Sequence, residues 1–220
     1  MVDLKELSEV LFQGDISKVK EITQRALQEK MDPKEILEQG LIKGMDVVGI
    51  KFKNNEIFLP EVLLSSQAMY AGMEILQPIL TETGVKAVGK VIMGTVKGDL
   101  HDIGKNLVVM MLKGGGFEVI DLGTDVSPEK FLKATKEYQP DIIGMSALLT
   151  TTMINMKEVI TFLEKAELRN KVKVMIGGAT VTQDYVKEIG ADGYAPNAAS
   201  AVDMAKGFLT KKYNFIERRI

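Results

Sequence analysis

Apolar positions in the first part of the chain recur every three or four places, the period of helices with one buried face. Asp15, directly after Gly14, caps a helix that carries Val19, Ile22, Ala26 and Leu27. Asp32-Pro33-Lys34-Glu35 opens another, with an acceptor at the N-cap, proline at the first helical position and glutamate at the third. Behind it Leu37, Leu41, Met45 and Val48 form an apolar stripe. A further helix starts near Phe58-Leu59-Pro60-Glu61 and carries Val62, Leu63, Ser66, Met69, Tyr70, Met73 and Leu76. Together these predict a small four-helix bundle. Residues 81–90 lack a helical period, contain two glycines and read as a linker.

Beyond the linker the period changes. β-rich runs at 91–96, 117–122, 141–146 and 172–176, with a short one at Gly193-Tyr194, alternate with helical stretches. Those helices fall at 103–112, after Ser127-Pro128, and at 152–166, 182–189 and 198–209. Five β–α units in succession predict a five-stranded parallel sheet covered on both faces. The expected architecture is α/β: a helical domain over 1–85, then a flavodoxin-like sheet domain over 89–220. Such sheets bind ligands at the carboxyl ends of their strands, here between the first and third.

The loops at those ends are the places to look for chemistry. The first strand ends in Gly98-Asp99-Leu100-His101-Asp102-Ile103-Gly104-Lys105-Asn106, which holds the chain's single histidine. A carboxylate two residues before His101 can accept from one ring nitrogen and leave the other free for a metal. The plainer alternative is a polar surface histidine. The third strand runs into Ser146-Ala147-Leu148-Leu149-Thr150-Thr151-Thr152. Its hydroxyls either bind a ligand or, at Thr151 and Thr152, cap the next helix. Gly177-Gly178-Ala179-Thr180 leaves ligand space or merely turns, and the fifth strand leads into Tyr194-Ala195-Pro196-Asn197-Ala198.

Composition narrows the options. The 220 residues are 45% hydrophobic and 26% charged, with a formal net charge of −2. The charge is −4 up to residue 88 and +2 beyond it, so neither part has the basic excess that binding nucleic acid requires. Without cysteine there is no disulfide, thiolate nucleophile, iron–sulfur ligand or cysteine-based zinc site, and a reducing cytoplasm is expected. One histidine excludes any metal site built on two imidazoles. The charged start and the polar content of 142–156, the longest uncharged run, give no expectation of a signal peptide or a membrane span.

Asp99-x-His101-x-x-Gly104, Ser146-x-Leu148 and Gly177-Gly178, in this order and at these separations, resemble the three-part signature of cobalamin-binding (vitamin B12) domains. The longer stretches around them are similar to the cobalamin module of methionine synthase and to small corrinoid proteins of methyltransferase systems. Phe58-Leu59-Pro60 and the helix after it are similar to the helical cap of those proteins, so the resemblance covers nearly the whole chain. It implies a Rossmann-like domain in which His101 replaces the cofactor's own base as the lower ligand to cobalt. Asp99 is implied to orient His101, with Thr152 as the third member of this relay, where methionine synthase has serine. The first motif, Gly98, Asp99, Leu100, His101, Asp102, Ile103 and Gly104, is implied to meet the cofactor. Leu148 is implied to meet the cofactor too, and Ser146, Thr150, Gly177, Gly178 and Ala198 its nucleotide tail, with the two glycines making room.

In the family, cobalt cycles between Co(I) and methyl-Co(III). The resemblance therefore implies a methyl carrier and not a complete enzyme. Its partners would be a substrate:corrinoid methyltransferase, a methylcorrinoid:acceptor methyltransferase and a reductive activase. Phe58, Leu59, Val62 and Met69 are the candidates to shield the methyl group, and each could instead fill the bundle interior. A cobalamin-dependent sensor or regulator is the alternative from another class, and a mutase subunit a third. Neither a DNA-binding helix-turn-helix nor a catalytic barrel is visible in this sequence.

Overall fold

The computed structural model describes residues 2–83 and 87–217. The chain divides into two compact units, parting between Ala87 and Val88. In the first, Asp3 caps α1 (Leu4–Phe12), and Asp15 caps α2 (Ile16–Gln28) by accepting from Lys18 N at 3.0 Å. Between them Gly14 sits at φ 72°, where a Cβ would come within 2.7 Å of Leu64 Cβ. Asp32 caps α3 (Pro33–Glu35), which runs through a π-helical stretch (Ile36–Ile42) into α4 (Lys43–Lys53). The wider π closure alters the register that a plain helix would give. Ile36 takes the buried place expected of Leu37, while Leu41, Met45 and Val48 are buried as the stripe predicts.

The last helix of this unit, α5 (Leu59–Glu82), is longer than its sequence suggests and passes Pro78 without ending. It absorbs Thr81 and Glu82 from the expected linker; Lys90 at the other end already belongs to the first strand. Residues 84–86 of that linker lie outside the described residues, as does the expected end of the helical domain at residue 85. Among the described residues, no helix is long and apolar enough to cross a membrane.

In the second unit, β1 (Lys90–Thr95), α6 (Ile103–Gly114), β2 (Glu118–Asp121) and α7 (Pro128–Tyr138) follow in turn. Then come β3 (Ile142–Ser146), α8 (Thr150–Met153), α9 (Asn155–Lys165), a 3₁₀ turn (Arg169–Lys171), β4 (Lys173–Gly177), α10 (Gln183–Ile189), β5 (Gly193–Tyr194) and α11 (Ala198–Glu217). The strands are all parallel, in the order β2-β1-β3-β4-β5. This is the flavodoxin-like order, and β1 and β3 flank the point where the chain reverses direction across the sheet. Ile92, Ile143, Met145, Val174 and Ile176 pack with Phe131, Met156, Val159 and Leu163 in one buried cluster. The single helix expected over 152–166 starts earlier, at Thr150, and is broken at Ile154 into α8 and α9.

Candidate functional site

The β1–α6 loop turns at Gly98, whose φ of 77° costs glycine nothing, and Asp99 N closes onto Val96 O at 3.1 Å. The Asp99 side chain is fully buried, and each of its oxygens meets two donors. Oδ1 accepts from His101 N at 3.0 Å and lies 2.8 Å from His101 Nδ1. Oδ2 accepts from Leu148 N at 2.8 Å and from Thr152 Oγ1 at 2.7 Å. Burial pushes the Asp99 carboxyl up. The bonds from Thr152, Leu148 N, His101 N and the His101 ring outweigh burial and hold it well below the usual carboxylate range. An ionised carboxylate only accepts, so Nδ1 donates to it, and in the neutral imidazole the lone pair then falls on Nε2. The ring itself is 53% exposed.

Large apolar side chains are exposed on the loops of this relay. Leu100 and Ile103 are 73% and 76% exposed, and Leu148, Leu149 and Ile154, on the segment that follows β3, are exposed as well. Clustered exposure of large apolar side chains marks a surface that a ligand or partner covers. Among the described residues, no group of three or more His, Cys, Asp or Glu side chains is placed to cage a metal ion. A single carboxylate-backed imidazole can offer a metal one nitrogen.

Thr152 does not cap a helix, contrary to one reading of the sequence. It lies inside α8, where Leu149 occupies the N-cap position without a side-chain bond, and its hydroxyl is turned onto Asp99 and Leu149 O. Asp102 accepts from Asn106 N and Nδ2 in the first turn of α6. Gly104, in the same turn, is exposed with nothing within 4 Å of an added Cβ. Ser146 closes β3, in register with Thr95 on one side and Gly177 on the other. Thr150 is exposed at the start of α8, and Ala198 is buried at the start of α11. Gly178 is at φ 129°, and its missing Cβ would fall 1.8 Å from Ala147 O; at Gly177 the neighbour is Ala195 O at 3.1 Å. In this structure backbone takes the space beside both glycines. Nearby, the buried Thr180 Oγ1 has no hydrogen-bond partner.

Three residues that position the loop carry no signature in the sequence. Buried Thr95 donates from Oγ1 to His101 O at 3.0 Å, and Asn155 Nδ2 donates to Lys97 O at 2.8 Å. Asp125 accepts from Gly98 N at 2.7 Å and donates its own N–H to Asp99 O at 3.0 Å. Each acts on backbone atoms, for which no side-chain motif exists. Of the proposed shielding residues in the first unit, Phe58 and Leu59 are exposed, whereas Val62 and Met69 are buried.

Two family models, both described as a B12 binding domain, match residues 3–77 and 89–203. A corrinoid protein of Desulfitobacterium hafniense is 44% identical, over 94% of this chain and 98% of its own length. Dimethylamine corrinoid protein 1 of Methanosarcina mazei is 45% identical, over 95% and 97%. Among solved structures, the methanol:cobalamin methyltransferase complex of Methanosarcina barkeri contains a chain that is 34% identical with a TM-score of 0.82. That match covers 93% of this chain and 78% of the other.

Proposed function

The chain belongs to the family of B12-binding corrinoid proteins, and from that premise we propose that it is a methyl carrier working between two methyltransferases. When bound, the corrinoid supplies a cobalt centre that takes up a methyl group and gives it away again. The observation that carries this reading is the Thr152–Asp99–His101 relay, ending in a free Nε2 on an exposed ring amid open apolar surface.

In this assignment His101 Nε2 would hold the cobalt in place of the cofactor's own base. Asp99 Oδ1 fixes the ring by holding Nδ1–H, and Thr152 and Leu148 N fix Asp99 in turn. Because an ionised Asp99 only accepts, the neutral imidazole would carry its proton on Nδ1 and offer the Nε2 lone pair to the metal. The exposed Leu100, Ile103, Leu148 and Leu149 would give the bound group apolar contacts that exclude water. Ser146, Thr150, Gly177, Gly178 and Ala198 belong to the loops that receive the nucleotide tail, and the unpartnered Thr180 hydroxyl stands ready to bond it.

One partner delivers the methyl group, a second removes it, and a reductive activase restores the carrier. The dimethylamine relative makes a methylated amine the first donor to test. No observation favours the sensor or the mutase-subunit reading.

The test loads the purified chain with hydroxocobalamin, reduces it, and supplies a methylamine:corrinoid methyltransferase together with a carbon-labelled methylated amine. Label that co-elutes with the chain in an amount matching its corrinoid is expected. Failure to take up corrinoid, or strong preference for adenosylcobalamin over methylcobalamin, would contradict a carrier.

A further inference from the structure

Asp125 stands in the β2–α7 connection at φ 51°, a left-handed conformation that non-glycine residues adopt reluctantly. Glycine would sit there with less strain. What aspartate adds is a carboxylate, and that carboxylate is engaged: Oδ1 accepts from Gly98 N at 2.7 Å. The same residue's backbone N–H donates to Asp99 O at 3.0 Å. Asp125 thus grips Gly98 and Asp99 on either side of the peptide bond that joins them. Its own position is fixed relative to β1, because Thr95 N donates to Gly123 O and Val126 N donates to Thr95 O.

We propose that Asp125 is a positioning residue for His101, setting the tilt of the imidazole through the Gly98–Asp99 backbone. This rests on the assignment of His101 as the cobalt ligand. The physical reason is leverage. Asp99 holds the ring through Oδ1 while Oδ2 is tied to Leu148 N and Thr152, so the ring's attitude follows from where the Asp99 backbone lies. Asn155 holds the preceding residue from the other side, through Lys97 O. Asp125 is the only one of these anchors that touches both Gly98 and Asp99. The aspartate is exposed, so its effect on the bundle of buried contacts is small.

The experiment compares the full wild-type chain with D125G and D125N. Glycine keeps the backbone conformation and the bond to Asp99 O but deletes the acceptor, whereas asparagine retains an oxygen for Gly98 N. In the corrinoid-free chain, amide exchange at Gly98 is expected to quicken about tenfold in D125G and to return to the wild-type rate in D125N. In the cobalamin-loaded Co(II) form, the fraction showing coupling to a histidine nitrogen in electron paramagnetic resonance should fall in D125G and recover in D125N. D125G with wild-type coupling overturns the proposal, even if Gly98 exchange has quickened. Fast Gly98 exchange in the wild-type chain overturns it without any variant. If wild type itself shows no histidine coupling, the assignment of His101 fails and this proposal with it; coupling intact in both chains sinks Asp125 alone.

Discussion

Asp99 is the residue on which the site turns, because it is buried, ionised and bonded at both oxygens. Thr152 supplies one of those bonds from its hydroxyl. Removing it leaves a buried carboxylate short of a donor, which costs about 1–3 kcal/mol, whereas serine restores the hydroxyl. Thr152→Ala should therefore lower the unfolding free energy of the corrinoid-free chain by about that amount in a urea titration, and Thr152→Ser should stay within roughly 0.5 kcal/mol of wild type. Equal losses in both variants would mean that the methyl group, not the hydroxyl, is what matters. At this scale the sequence was informative where two side chains stand close together in one motif: Asp99 and His101 are two places apart, and the structure joins them. It was uninformative where a side chain acts on backbone. Thr95 and Asn155 look like ordinary strand-end and helix-start residues, and Asp125 like part of a routine entry into α7.

At the scale of elements, periodicity located the strands because a parallel sheet buried on both faces needs continuous apolar runs, and β1, β3 and β4 provide them. Departures arise where local geometry breaks the period. The π stretch trades Leu37 for Ile36, α5 continues through Pro78, and the segment after β3 winds into helix two residues before Thr152. The sheet's other end has its own anchor. Asp192, just before β5, accepts from Val174 N at 2.8 Å and pairs with Arg169 and Lys173. Burial pushes its carboxyl up, but the bonds from Lys173, Val174 N and Arg169 prevail and hold it below the ordinary range. A carboxyl lowered in the folded state contributes stability above its unfolded pKa, of about 3.9, and loses it as pH falls through the folded value. Asp192→Asn should thus destabilise the chain near neutrality, and the gap from wild type should narrow as the medium is made more acidic than that unfolded pKa. Denaturant titrations across pH check this; a gap independent of pH would rule out the carboxylate's charge as the cause.

For the molecule as a whole, the sequence pointed to a helical part and a flavodoxin-like part, and family models cover each. The relatives named as corrinoid proteins span nearly the full chain, so the family likeness covers both parts. In the proposed assignment the chemistry itself belongs to the corrinoid, while the protein would contribute one nitrogen, its orientation and an apolar surround. That division of labour also makes the central claim directly accessible, since the chain has only one histidine. Growth on [¹⁵N]histidine labels a single imidazole in the entire protein. In the cobalamin-loaded Co(II) form, unlabelled protein should show each cobalt line split into a triplet by ligand ¹⁴N, and labelled protein should show doublets from ¹⁵N. Triplets that survive the labelling would place the cofactor's own base beneath the metal and contradict the account.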